Sequence, residues 1–413
     1  MADTENKKNS NSPAERAQGN VPALRFPSFT EPWCVSKLKS YLKENKERNK
    51  HSEFAKEEVL SVSGQDGIIN QIKHLGRSFA GKSVADYHVV RHGNIVYTKS
   101  PLKEYPYGIV KYNRGVDGIV STLYAVYETN NKSDGTFVEY YFASVNRINR
   151  YFKPIVRIGA KHDMKIGNEE VLQNTVCFPD IMEQKKIATF LSLLDERIAT
   201  QRRLIDKLET LIKGIVVSHF NNCKTKKSIA VKDLGEAYSV GNLSKDDLSE
   251  YGEQCIIYGE LFTTYGCVAR EIHSRTNKYN QATLSRSGDL LLPASTTVDA
   301  ISLIAPTSLQ RDGVYVAGDM FGIHISPQFN SEYISYLLNY VYNKTLSKYA
   351  QGSTIIHLHY ADIKNTTIQV PCLEEQNKCA ELMETLQTKL DVAKRLIDCY
   401  QLQKSNLLQR MFI

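Results

Sequence analysis

Between Glu183 and Ile215 the apolar positions form a stripe: Leu191, Leu194, Ile198, Gln201, Ile205, Leu208, Ile212 and Ile215 follow one another in steps of three and four residues. A 3,4 alternation keeps one face of a helix apolar, and over more than three heptads it predicts a coiled-coil seam. The same steps recur in Met383, Leu386, Leu390, Ala393, Ile397, Tyr400, Lys404 and Leu407. The two helices align without a gap for most of their length. Pro371 stands 192 residues after Pro179, and Glu183/Glu375, Gln184/Gln376, Lys186/Lys378, Ala188/Ala380 and Leu194/Leu386 are identical pairs at that offset. Gln201 corresponds to Ala393, so the interruption of the stripe is itself duplicated. A rod of this length, at 1.5 Å rise per residue, spans about 50 Å. One such helix alone would point to a homodimer. Two matched helices, each following a globular segment, predict an antiparallel pair within one chain.

The segments between the helices have a different pattern. Residues 95–98 and 119–126 are rich in β-branched and aromatic residues, as strands are, and a helical stretch covers residues 139–146. A basic linker at 221–228 leads to a second globule that echoes the first. Arg91-His92-Gly93-Asn94-Ile95 parallels Arg286-Ser287-Gly288-Asp289-Leu290, Glu139-Tyr140 parallels Glu332-Tyr333, and Gly159 with Met164 parallels Gly352 with Leu358. The expected fold is α+β: two mixed α/β units separated by two long helices that form an antiparallel intramolecular coiled coil with pseudo-two-fold symmetry. The expected divisions are a polar, disordered tail at 1–20, a first unit at 21–178, a helix at 179–220, a second unit at 221–370 and a helix at 371–413. The apolar, proline-rich residues 21–33 should pack against the first unit.

Composition narrows the function classes. No apolar run approaches the roughly 20 residues that span a bilayer, and the polar N-terminus lacks a signal-peptide core, so a cytoplasmic protein is expected. Eight cysteines without a CxxC pair or zinc-finger spacing suggest reduced structural thiols and no metal site. A net charge of +7 permits a polyanionic partner without requiring one.

Three motifs suggest chemistry that their surroundings do not support. Residues 76–83 match GxxxxGK[ST], with Lys82 and Ser83 as the phosphate-binding pair, so a P-loop nucleotide-binding enzyme is one alternative. A phosphate loop needs a buried strand before it and a helix after it. Residues 68–75 are too polar for the strand, and Gly93 follows too soon for the helix and crossover. Pro179-Asp180 with Glu183-Gln184-Lys185 evokes a nuclease site, but its acids lie within one helical turn and suit helix initiation better. His357 and His359 alternate as a strand-edge pair with no evident third metal ligand. There is no adenine-methylation motif and no glycine-rich loop for S-adenosylmethionine, so no catalytic residues, cofactor or metal are expected in this chain.

The basic clusters carry more weight. Arg147, Arg150, Lys153, Arg157, Lys161 and Lys165 are opposed only by Asp163 and are interleaved with Tyr151, Phe152 and His162. Lys and Arg neutralise phosphates, and Arg also reads guanine edges. The corresponding stretch of the second unit holds Lys344, Lys348, Tyr349, Gln351, Ser353, Thr354 and His357, which is less charged and richer in neutral hydrogen-bonding groups. Double-stranded DNA is the expected partner of both. A structural coiled-coil protein associated with DNA is the remaining alternative, but it leaves two matched yet dissimilar globules unexplained.

With 179–214 reading P…EQKKIATFLSLLDERIATQRRLIDKLETLIKG, and 371–413 reading P…EEQNKCAELMETLQTKLDVAKRLIDCYQLQKSNLLQRMFI, the chain resembles the specificity subunits of type I restriction-modification systems. The leading VPALRFPSF…W belongs to the same likeness, which covers nearly everything past the tail. The resemblance implies two target-recognition domains, each reading one half of a split, asymmetric DNA site. It also implies that the coiled coil sets the half-site distance and docks two methyltransferase subunits. Two restriction subunits complete such systems. S-adenosylmethionine, ATP and magnesium belong to those partners, and this chain is non-catalytic alone. Leu191, Leu194, Ile198, Ile205, Leu208, Met383, Leu386, Leu390 and Ile397 would carry the coiled coil and docking. A rod of about 50 Å can serve readers whose major grooves lie one helical turn, about 34–36 Å, apart. Removing one heptad from each helix shortens the rod by about 10 Å, which should shorten the unread spacer by roughly three base pairs or abolish binding. Methylation-site mapping checks this, and an unchanged spacer would refute the ruler.

Overall fold

The computed structural model describes residues 19–81, 83–158, 164–278 and 283–413. The chain divides into two compact units, one of residues 1–200 with 397–413 and the other of residues 201–396. In the first, an antiparallel sheet has the order Leu42–Glu44, Tyr124–Thr129, Asn94–Thr98, Val110–Tyr112. In the second, the order is Gly235–Ser239, Met320–Ile325, Asp289–Pro293, Thr307–Leu309, with Val268–Ala269 added in parallel at the far edge. The first four strands occupy corresponding places in both sheets. A helix then covers each sheet: Gly135–Tyr141 in the first unit and Ser331–Tyr340 in the second.

The duplicated turn before each central strand has a local cause. Gly93 and Gly288 sit at φ 91° and 92°, a conformation that L side chains rarely adopt. The next residue folds its side chain back: Asn94 Oδ1 accepts from the Arg91 amide at 2.8 Å, and Asp289 Oδ2 accepts from the Arg286 amide at 2.9 Å. The parallel between 91–95 and 286–290 is thus one turn built twice. Residues 119–126, expected as one stretch, divide into strands Gly118–Val120 and Tyr124–Thr129 of different sheets, because the Tyr124 amide closes a turn on the Ser121 carbonyl. The helical stretch expected at 139–146 is the end of Gly135–Tyr141, a break, and the start of Val145–Phe152.

Each unit returns to its long helix through a two-stranded ribbon. Cys34–Lys37 pairs with Thr175–Phe178, and Lys226–Ala230 pairs with Thr367–Pro371. The helices follow at once, Ile181–Asn222 and Leu373–Arg410. Asp180 starts the first as a cap, its Oδ1 accepting from the Met182 and Glu183 amides. All sixteen positions of the two stripes are buried or half-buried, while most of their helical neighbours are exposed. Within the first unit the contacts pair residue 195 with 404 and 197 with 400; within the second they pair 201 with 393 and 219 with 375. Partner numbers fall as positions rise, so the helices run antiparallel.

The two duplicated irregularities face each other: Gln201 Nε2 donates to the Ala393 carbonyl at 3.1 Å, and the small Ala393 leaves room for the amide. Lys404, which interrupts the apolar stripe, has a partner on the facing helix. Its ammonium meets Asp195 at 2.5 Å and lies over the Tyr140 ring.

A buried amide fixes each globule to its helix. Gln184 Oε1 accepts from the Asp134 amide at 3.0 Å, and its Nε2 donates to the carbonyls of Lys132 and Pro179. Gln376 repeats this in the second unit: Oε1 accepts from the Asn330 amide at 2.9 Å and Nε2 donates to the Pro371 carbonyl at 2.8 Å. Asp134 and Asn330 are the N-caps of the sheet-covering helices, accepting from the Phe137 and Tyr333 amides. Both glutamines are sealed from solvent, at 0% and 1% exposure.

The C-terminus closes the first unit. Phe412 packs against Phe137 at 5.3 Å and Trp33 at 6.3 Å, and the Leu24 amide donates to the Arg410 carbonyl. Residues 21–33 therefore pack on the first unit as expected, helped by Arg25, whose guanidinium grips both oxygens of the buried Glu183 at 2.7 Å.

Gln184→Ala and Gln376→Ala should each destabilise the unit they join by about 2–3 kcal/mol, since each leaves a buried amide and carbonyl without partners. Thermal unfolding checks this; losses below about 0.5 kcal/mol would show that the amide is dispensable.

Candidate nucleic-acid interface

The basic cluster of the first unit lies on the helix Val145–Phe152 and the two-residue strands Arg157–Ile158 and Met164–Lys165, which pair antiparallel. Arg150, Lys153, Arg157 and Lys165 are exposed. Lys161, His162, Asp163 and Gly159 lie outside the described residues.

Arg147 departs from the expected role in DNA contact. It is 6% exposed, its Nε donates to the Tyr141 carbonyl at 2.8 Å, and its Nη2 donates to the Leu408 carbonyl at 2.8 Å. Burial pulls its pKa down to about 10, which still leaves it charged at neutral pH. The Leu408 carbonyl belongs to the last turn of the C-terminal helix, where unpaired carbonyls and the helix dipole favour a cation. The guanidinium also lies 4.8 Å over the Phe412 ring. Arg147 is a helix C-cap set in an aromatic wall, and its charge is unavailable to a phosphate.

The second unit presents Lys344 and Lys348 on the short helical segments Asn343–Leu346 and Ser347–Tyr349, and its other candidates on a small hairpin. Gln351 and His357 bridge antiparallel through both backbone hydrogen bonds, at 2.9 and 2.7 Å, so residues 352–356 form the tip. Gly352 begins the tip at φ 121°, and a Cβ there would fall 2.0 Å from the Ile355 carbonyl oxygen. Lys344, Lys348, Gln351, Ser353, Thr354 and His357 are all exposed. The His357 and His359 rings stack at 6.2 Å, but only His357 lies in the strand Ile356–His357; His359 caps the helix Tyr360–Ile363, so the expected strand-edge pair is divided between two elements. The hairpin is anchored by Leu358, which is buried, and by pairing with Ser295–Thr296.

Beside this hairpin the fold gathers residues that the sequence did not single out. A groove of about 1100 Å³ is lined by Tyr258, Phe262, Tyr265, Val298 and Ile355 on the globule and by residues such as Lys394 on the helices. Val298 is 72% exposed and Ile355 50%. Only the run Tyr258–Tyr265, with three aromatics spaced three or four residues apart, offered a sequence signal. Across three neighbouring strands of the sheet, the buried Asp289 accepts from the Tyr238 hydroxyl at 2.7 Å and pairs with His324 Nδ1 at 2.6 Å. Burial and the neighbouring Asp289 carboxylate raise the Tyr238 pKa, keeping it a hydrogen-bond donor.

The decoy motifs resolve in the structure. Gly76 ends a short helix, Gln71–Leu75, in the left-handed conformation, and the next regular element among the described residues is the strand His88–Val90. Helix before loop and strand after it is the reverse of a phosphate-binding loop. The Phe79 amide is already taken by Gln71 Oε1 at 2.7 Å. Lys82 lies outside the described residues. Asp180 is a helix cap, and both oxygens of Glu183 are held by Arg25, so no nuclease site exists there.

Residues 224–398 match the family model described as the type I restriction modification DNA specificity domain. A curated relative, the type I restriction enzyme MjaVIII specificity subunit of Methanocaldococcus jannaschii, is 24% identical over 307 residues, covering 68% of this chain and 70% of its own. The fold matches the type I restriction-modification S subunit from M. genitalium with TM-score 0.60 and 15% identity, over 95% of this chain and 99% of that one. A chain from a structure of type I system assembly and conformational transition matches with TM-score 0.51 and 15% identity, over 92% of this chain and 96% of its own.

Residues 224–398 carry the type I restriction modification DNA specificity domain, and over nearly its whole length the chain has the fold of type I specificity subunits. These likenesses are to DNA-specificity components, and none of them supports the nucleotide-binding or the purely structural alternative. No helix among the described residues is long and apolar enough to cross a membrane.

Arg147→Ala should lower stability by about 2–3 kcal/mol, from the lost charged hydrogen bonds and cap. Arg150→Ala, three residues away and exposed, should stay within about 0.5 kcal/mol of wild type. Equal melting temperatures for the two variants would overturn the assignment of Arg147.

Proposed function

We propose that each unit reads one half of a bipartite, asymmetric DNA site, through Arg150, Lys153, Arg157 and Lys161 in the first and through Lys344, Lys348, Gln351, Ser353, Thr354 and His357 in the second. The observation that carries this is a shared four-strand order and shared helix latch beneath dissimilar exposed residues at equivalent places. One frame built twice with two different surfaces suits two different half-sites. The lysines and arginines supply phosphate neutralisation, whereas Gln351, Ser353 and Thr354 on a protruding hairpin are neutral donors and acceptors suited to base edges. The domain divisions at 21–178 and 221–370, with helices at 179–220 and 371–413, follow from the same reading.

Two methyltransferase subunits dock on the long helices, and two restriction subunits join the assembly. The seam residues Leu191, Leu194, Ile198, Ile205, Leu208, Met383, Leu386, Leu390 and Ile397 are taken up by helix pairing. Docking therefore falls to apolar residues left exposed on the outer faces, including Leu193, Leu204, Leu382, Val392 and Leu402. S-adenosylmethionine, ATP and magnesium enter with the partners.

Co-expression with the cognate methyltransferase subunit, followed by genome-wide mapping of methylated adenine, tests this reading. A split motif that requires both subunits is expected; a continuous motif, or none, would overturn it. Lys153→Ala and Arg157→Ala should weaken binding across sequences and each reduce the salt slope by about 1, while Ser353→Ala with Thr354→Ala should relax one half-site by about 1–3 kcal/mol per base contact.

A further inference from the structure

The second unit holds a cluster that neither DNA reading nor helix pairing uses. His219 and Cys223 lie one turn apart at the end of the central helix, and Glu375 stands in the first turn of the C-terminal helix. Cys223 Sγ is 3.7 Å from His219 Nε2, and that nitrogen is 3.5 Å from Glu375 Oε2. One ligand atom from each residue lies within 4.8 Å of the others. Zinc bonds of about 2.0–2.3 Å to nitrogen, oxygen and sulfur, set tetrahedrally, give ligand-to-ligand edges of about 3.4–3.6 Å. Two of the three edges are therefore already near the right length. We propose that His219, Cys223 and Glu375 form a site for a zinc-class divalent cation that ties the end of one long helix to the start of the other.

Two further observations point to a ligand there. The Tyr333 hydroxyl is fully buried, has no hydrogen-bond partner among the described residues, and lies within the electrostatic reach of Cys223 and Glu375. The Tyr333 ring also packs edge-on against His219 at 5.7 Å. A buried hydroxyl without a partner is costly, and a metal-bound water is one group that would satisfy it. The second observation is the duplication itself. Glu183, the counterpart of Glu375, has its charge neutralised by the bidentate Arg25. Among the described residues Glu375 has no such arginine; it lies 3.5 Å from His219 Nε2 and pairs with the exposed Lys378 of its own helix at 3.2 Å. A divalent cation would give Glu375, whose side chain is 39% exposed, a partner in the second unit as Arg25 partners the sealed Glu183 in the first.

The site opens into a cavity of about 380 Å³ lined by Ile215, Ser218, His219, Asn222, Cys223 and Glu375, so an ion can enter and keep a water or recruit a fourth ligand. A thiolate, an imidazole and a carboxylate suit zinc better than magnesium or calcium, which prefer oxygen alone. Burial and the Glu375 carboxylate push the Cys223 thiol pKa up, so binding must release its proton to solvent and weakens as the pH falls.

The test uses the full chain, stripped with chelator, kept reduced with a phosphine and titrated with zinc chloride. One tightly held equivalent is expected, with a rise in melting temperature of about 5 °C at a hundredfold excess over Kd. His219→Gln, Cys223→Ser and Glu375→Gln should each weaken binding about a hundredfold, and the exposed Cys399→Ser should not. Cobalt titration of the unaltered chain gives an answer independent of variant folding, because a thiolate ligand produces sulfur-to-cobalt charge transfer and tetrahedral visible bands. Absence of an equivalent at tens of micromolar zinc, a cobalt spectrum without thiolate character, or binding untouched by His219→Gln and Cys223→Ser would each overturn the site.

Discussion

The architecture depends on a side-chain amide sealed at the first turn of each long helix. Gln184 and Gln376 each join a backbone amide at the cap of a sheet-covering helix to a proline carbonyl at the start of a long helix. Glutamine can do this because its amide accepts at one end and donates at the other. With no water within reach, the geometry in which both ends are satisfied is strongly preferred over any that leaves one bare. Each globule is thereby held to its helix at a set orientation, while the rest of its surface remains free to vary.

That division of labour explains how the two units can be alike within and unlike outside. Sheet order, the glycine turns at Gly93 and Gly288, the return ribbons and the latches repeat. The exposed side chains on the segments beyond the covering helices do not: one set is mostly basic, the other mostly neutral and polar. The proposed reading of two half-sites needs this arrangement, because changing what is read must leave the frame undisturbed. The helix pair shows the same economy. Gln201 and Ala393 break the apolar stripe at equivalent positions and then meet, so one irregularity accommodates the other.

Arg147 and Lys404 show where a charge pattern misleads. Both are basic residues whose neighbours in sequence suggest solvent or a polyanion. One is buried against Phe412 as a helix cap, and the other pairs with Asp195 across the helices. Their partners lie 261 and 209 residues away in sequence, so no local window contains the reason for them. The cluster of His219, Cys223 and Glu375 was hidden for the same cause: two of its members form a modest helical pair, and the third arrives only when the helices align.

Much of the molecule was legible before folding because it rests on periodicity and repetition. The heptad steps from Leu191 and from Met383 fixed the two helices and the faces they bury, and the 192-residue offset implied a frame used twice. Glycine turns and the leading apolar segment were readable for the same local reasons. Tertiary structure alone decided which polar groups are spent inside. Gln184 and Gln376 stood out as identical pairs, yet only burial showed them to be latches. The aromatic groove by Tyr258 and the hairpin at 351–357 took shape only when strands distant in sequence paired. Apolar periodicity is a property of neighbouring residues, whereas the fate of a charge or an amide depends on what the fold brings to it.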